Sequence, residues 1–68
     1  MKLIINGECR EFESIPTLAE LLRRCDLDPA APGLAVAHNG TVVPRRELGE
    51  IRVAEGDRIE IVRAVQGG

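Results

Sequence analysis

At 68 residues the chain is sized for one small domain, and a domain that short buries only about 60% of the surface its unfolded chain exposes. Its formal net charge of −2, with acids and bases interspersed and Phe12 as the one aromatic residue, leaves neither a basic stripe nor a stacking platform for nucleic acid. No apolar run approaches the roughly 20 residues of a membrane span, and Lys2-Leu3-Ile4-Ile5 is too short for a signal peptide, so a soluble cytoplasmic protein is expected.

The opening Met1-Lys2-Leu3-Ile4-Ile5 is rich in branched apolar residues and predicts a strand that runs through Asn6. Asn6-Gly7 tolerates the positive φ values of a type I′ turn, and Glu8 to Glu13 is the return strand. Alternation places Cys9, Glu11 and Glu13 on one side of it and Arg10 and Phe12 on the other, with Phe12 as its contribution to the core. After the break at Ser14-Ile15-Pro16, Thr17 and Glu20 have the spacing of a reciprocal capping box. Leu18, Leu21, Leu22 and Cys25 follow at i, i+3, i+4 and i+7, one apolar stripe on a helix over about 17–25. Arg23 and Arg24 stand at its C-terminal end, where the helix dipole favours positive charge.

Residues 26–33, with Pro29, Pro32 and Gly33, form an irregular connection. Leu34 to His38 is a third strand, Asn39-Gly40 a second hairpin turn, and Thr41-Val42-Val43 the partner strand, ended by Pro44, which cannot donate to a ladder. Arg45 to Glu50 is a short turn or 3₁₀ piece with Leu48 or Ile51 tucked inward. Arg45 and Arg46 are expected as solvated surface charges, with partner contacts as the alternative. Glu55-Gly56-Asp57 turns the chain into a last strand, Arg58 to Val65, with Ile59 and Ile61 on its buried face.

Cys9 and Cys25 match no CxxC or zinc spacing and are expected as buried or half-buried free thiols. His38 has no second His or nearby Cys and is expected as a strand or turn residue; no metal site and no catalytic constellation is recognisable. The chain ends in Gly67-Gly68. Two residues without Cβ can run extended through a slot too narrow for any others, and residues 65–68 would reach roughly 13 Å. A carboxylate there, with an ordinary pKa of about 3.3–3.7, is ionised at neutral pH and not electrophilic. Chemistry at it requires prior activation, most simply as an acyl-adenylate made from ATP by another enzyme.

The order is strand, strand, helix, strand, strand, short connection, strand. With the first and last strands parallel neighbours joined through the helix-bearing crossover, this is an α+β fold, a ββαββ mixed sheet against one helix in the β-grasp arrangement. Residues 1–64 make the domain and residues 65–68 a flexible tail. Ala35-Val36-Ala37-His38-Asn39-Gly40 with Val42-Val43-Pro44-Arg45, Glu55-Gly56-Asp57-Arg58-Ile59-Glu60-Ile61, Leu21-Leu22 on the capped helix and terminal Val65-Gln66-Gly67-Gly68 together resemble the ubiquitin-like sulfur carriers of the ThiS type, across essentially the whole chain.

That resemblance implies a carrier, not an enzyme. An E1-like adenylating enzyme of the ThiF type, using ATP and Mg²⁺, activates Gly68, while the carrier itself binds no cofactor. Sulfur from a cysteine persulfide, fed by a cysteine desulfurase, converts the adenylate to a thiocarboxylate, and thiazole synthase (ThiG-type) takes the sulfur for the thiazole of thiamine. Gly67 matches the penultimate glycine, and Gln66 and Val65 complete the tail that enters partner active sites. Alternation on the last strand turns Val62 and Ala64 outward, and Ile4 has the outward phase on the first strand, so Ile4, Val62 and Ala64 form the expected docking surface. Sulfur carriers for molybdopterin or for tRNA thiolation, and a β-grasp binding or modifier module that uses no sulfur, are the alternatives.

Overall fold

The computed structural model describes residues 1–64. The first strand, β1 (Lys2–Ile5), returns through Asn6-Gly7 as β2 (Glu8–Glu11). Helix α1 (Leu18–Arg24) follows, then β3 (Leu34–His38), β4 (Thr41–Val43), a 3₁₀ turn (Arg45–Glu47) and β5 (Arg58–Arg63). The strands lie in the order β2-β1-β5-β3-β4. β1 and β5 are parallel, with Ile5 opposite Ile59, while β3 runs antiparallel to β5 from Leu34 opposite Arg63 to His38 opposite Ile59. The last strand therefore occupies the centre of the sheet, as the β-grasp expectation requires.

One face of this sheet is covered. Leu3, Ile5, Val36, Val43 and Ile59 meet Leu18, Ala19, Leu21 and Leu22 of the helix, with Ile15, Leu48 and Val53 closing the sides. At about 25 cal/mol per Å² of apolar surface, this layer supplies the main favourable term for a seven-residue helix that could not persist alone. Of the two candidates in the 45–51 segment, Leu48 is buried and Ile51 half-buried. Phe12 is half-buried at the margin of the core, with the Arg10 guanidinium 5.2 Å from its ring centre. It lies just beyond β2, whose own residues are all exposed.

The helix is one residue shorter at each end than the sequence stripe suggests, because Thr17 and Cys25 have cap rather than helical torsions. Thr17 Oγ1 accepts from the Glu20 N–H, so half of the capping box forms. The Glu20 carboxylate turns instead to Arg23 and Arg24, at 3.5 and 3.1 Å. The orphan donors of the first turn find carbonyls elsewhere: Leu18 N–H donates to Ile51 and Ala19 N–H to Leu48. At the other end Asp26 adopts φ 62, while Asp26 and Leu27 N–H groups return to the Arg23 and Leu22 carbonyls. This is a Schellman closure, with Asp in the place glycine usually takes.

Candidate functional site

β5 is the element that leads toward the C-terminus, and both flanks of it are fastened. On the β1 side the ladder would stop at Ile5, but the Asn6 side chain continues it, accepting from Ile61 N–H at 2.8 Å and donating to the Ile61 carbonyl at 3.3 Å. On the β3 side the Asn39 amide oxygen accepts from Arg58 N–H at 2.8 Å. At the far end, Ala64 N–H donates to the Gly33 carbonyl at 2.8 Å. Ala64 is the last described residue. The expected final strand stops at Arg63, and the expected tail residues Val65, Gln66, Gly67 and Gly68 lie outside the described residues.

The sheet face opposite the helix is uncovered. Val62 and Val42 are its most open large apolar side chains, 61% and 72% exposed. Register places Val62 beside Ala35, and Ala37 between Glu60 and Val42, forming a shallow apolar groove of about 120 Å³. Of the residues expected to dock a partner, Val62 lies in this groove and exposed Ala64 directly beyond Arg63 on the same chain. Ile4 shares the outer face but is half-buried and opposite Arg58. Four strand positions, about 13 Å, separate that level from Val62, so the structure does not bring Ile4 to the groove. Ala35, Ala37 and Val42 take its place. Alternation in β3 and β4 already gave them an outward phase; what it lacked was the strand pairing that sets them beside Val62.

Acid–base groups cluster elsewhere. His38 Nε2 lies 2.7 Å from Asp57 Oδ2, which also accepts from Ala54 N–H, while Asp57 Oδ1 accepts from the Asn39 amide. Burial pushes the Asp57 pKa up, but hydrogen bonds from His38, Ala54 and Asn39 outweigh it and hold the carboxyl below its ordinary value of 3.8. These bonds join two turns, and His38 opposes Ile59, five residues before Ala64. The cluster is a structural tie remote from the chain's exit. Arg45 is exposed, as expected, and its guanidinium also donates to the Ala31 and Ala30 carbonyls at 3.0 and 3.4 Å.

Both cysteines are free; Cys25 is half-buried as expected, whereas Cys9 corrects the expectation, exposed like every residue of the edge strand β2. Cys25 lies 3.7 Å from Arg10 on the helix side of the sheet, whereas adjacent Cys9 points to the opposite face, so the sheet stands between the two thiols. Among the described residues no cluster of three His, Cys, Asp or Glu could hold a metal ion, and no helix is long and apolar enough to cross a membrane.

A mixed five-stranded sheet with one helix on a single face, and with the C-terminal strand at its centre, defines a ubiquitin-like β-grasp protein. The sequence model of the ThiS family matches residues 3–68, and the chain belongs to that family. The sulfur carrier protein ThiS of Escherichia coli is 31% identical over the full length of both chains. A thiazole synthase of Paramagnetospirillum magneticum is 38% identical over 68 residues, which span all of this chain but 20% of that protein. The crystal structure of ThiS from Geobacter metallireducens superposes with a TM-score of 0.82 at 27% identity, covering both chains completely. A solution structure of a thiamine biosynthesis protein from the same organism gives 0.79 at 26% identity, covering 100% of this chain and 88% of that one.

Proposed function

We propose that this ThiS-family chain is a sulfur carrier of thiamine biosynthesis, a protein cosubstrate rather than an enzyme, and that Gly68 carries the sulfur. The observation that carries the reading is the match, over the full length of both chains, to a sulfur carrier protein, a match that takes in Gly67-Gly68. In the proposed sequence, a Gly68 carboxylate oxygen attacks the α-phosphorus of ATP, bound with Mg²⁺ by a ThiF-type adenylating enzyme, and pyrophosphate leaves. A persulfide sulfur, supplied through a cysteine desulfurase, then attacks the acyl carbon and displaces AMP. Release of the thiocarboxylate from that acyl disulfide takes a second thiol, which becomes half of a new disulfide on the donor. The chain contributes a bare tail, Val65-Gln66-Gly67-Gly68, for reach, and its body for recognition.

Thiazole synthase is the proposed recipient, a choice supported by the thiazole synthase with a segment 38% identical to this chain. Docking is assigned to the open sheet face around Val62 and Ala64, extended to Ala35, Ala37 and Val42. The cytoplasm, where ATP is available, is the proposed location.

Intact-mass measurement after incubation with a ThiF-type enzyme, MgATP and a sulfur source tests the reading. The expected result is a mass gain equal to one oxygen exchanged for sulfur, mapped to Gly68 and lost when that residue is deleted. An unchanged mass, where another ThiS-family carrier responds, would overturn it. Adding thiazole synthase to the loaded carrier then tests the recipient, with transfer of the sulfur to a nucleobase or pterin precursor instead as the contrary result.

A further inference from the structure

The geometry points to Gly33 as a positioning residue for the Gly68 carboxylate: with Ala64, the last described residue, it forms a clasp at the root of the segment that carries that group. The inference rests on the sulfur-carrier reading and adds to it a residue far from the tail in sequence. The β3–β5 ladder ends with Leu34 opposite Arg63, and one more bond, Ala64 N–H to the Gly33 carbonyl, prolongs it. Gly33 adopts φ +77, and a Cβ built on it would lie 3.2 Å from Ala64 Cβ and 3.3 Å from the Ala64 carbonyl oxygen. The two backbones approach this closely because Gly33 has no side chain, and the backbone takes this φ because glycine tolerates it.

Gly33 is also the end of a braced segment. Asp28 Oδ1 accepts from Ala30 N–H and its carbonyl from Ala31 N–H, both at 2.9 Å. Arg45, reaching from the 3₁₀ turn, holds the carbonyls of Ala30 and Ala31. Pro29 and Pro32 fix φ on either side of those residues. Ala64 is thus tied through Gly33 to a support that spans two separate connections of the fold. Fixing the point from which a reacting group is carried raises the effective concentration of that group at a partner's reacting centre. Docking through the open face and presentation of the carboxylate are then separable properties.

Two substitutions probe the clasp without touching Val42 or Val62. Gly33→Ala places a Cβ at positive φ against Ala64; Arg45→Ala removes the brace and adds no atoms near the tail root. Amide hydrogen exchange of the ¹⁵N-labelled chain reads the clasp directly. Steady-state adenylation, followed as pyrophosphate release by a ThiF-type enzyme run beside the carrier it naturally uses, reads presentation. In Gly33→Ala, Ala64 exchange is expected to rise about tenfold while Leu3 and Ile59 stay protected as in the wild type. The kcat is expected to fall about tenfold with KM for the carrier unchanged, well within the loss that a 1 Å misplacement can cause. Arg45→Ala is expected to move both in the same direction by less.

Unaltered Ala64 exchange in both variants, or accelerated exchange with wild-type kcat, would overturn the clasp while leaving the carrier reading intact. A rise in KM at constant kcat would overturn it too, by assigning Gly33 to docking. A wild-type chain that the enzyme never adenylates, beside a natural carrier that it does, would overturn the carrier reading and this proposal with it, and the exchange data would then report only a structural contact.

Discussion

Asp57 ties two turns together with one carboxylate. It gathers His38 from the end of β3, Asn39 from the second hairpin and the Ala54 N–H from its own turn. Removing it strands three donors that are partly open to water, so Asp57→Ala is expected to lower stability at neutral pH by about 1–2 kcal/mol in urea denaturation. The acid side follows from the sign of the shift. A carboxyl whose pKa is lower folded than unfolded contributes stability that is complete above the unfolded value, here 3.8, and is lost as pH falls through the folded value. Urea midpoints between pH 5 and pH 3 should therefore decline less steeply in Asp57→Ala than in the wild type; parallel slopes would place the acid sensitivity elsewhere. At this scale the sequence indicated only that His38 was structural. Its partner stands 19 positions away, and they meet because β3 and β5 pair with His38 opposite Ile59.

Among the elements, the two Asn-Gly hairpins show how much of a motif local reading can reach. Asn6 and Gly7 adopt φ 50 and 83, and Asn39 and Gly40 adopt φ 50 and 88, as a type I′ turn requires. Each asparagine also lends its side-chain amide to β5, in place of a peptide group that the turning strand no longer supplies. Glycine at position 6 keeps the backbone conformation but loses the bridge to Ile61. Asn6→Gly is expected to be about 1 kcal/mol less stable than the wild type, and Asn6→Ala about 1 kcal/mol less stable again because of its positive φ. Denaturation midpoints for the three chains check the order, and a glycine variant as stable as the wild type would show the bridge to be idle. The turns were legible because φ preference is a property of the dipeptide. The bridge was not, since Ile61 lies 55 positions on. Helix α1 divides the same way: its stripe and Thr17 cap are written locally, whereas the carbonyls of Leu48 and Ile51 that receive its first donors are not.

For the whole molecule, the decisive asymmetry is a sheet with one face buried under a helix and the other open. Val62 contributes little to the core at 61% exposure, so Val62→Asp should change stability by no more than about 0.5 kcal/mol. In the docking proposal the same change sets a charge in the groove beside Ala35, and affinity for the activating enzyme should fall at least about tenfold, or 1.4 kcal/mol. Calorimetric titration with that enzyme checks it, and an unchanged Kd would remove Val62 from the interface. Patterning by itself indicated the strands, the helix with its buried Leu18, Leu21 and Leu22, both hairpin turns, and Leu48 and Ile59 of the core, because periodicity and φ preference act between residues adjacent in the chain. The parallel pairing of first and last strands followed from their order. Only the tertiary structure decided which outward residues share a neighbourhood, replacing Ile4 with Ala35, Ala37 and Val42 at the groove, laying the exposed Arg45 against the Ala30 and Ala31 carbonyls, and setting Gly33 against Ala64. Those contacts depend on register and on connections that fold back across tens of residues, where a shift of one position exchanges the two faces of a strand.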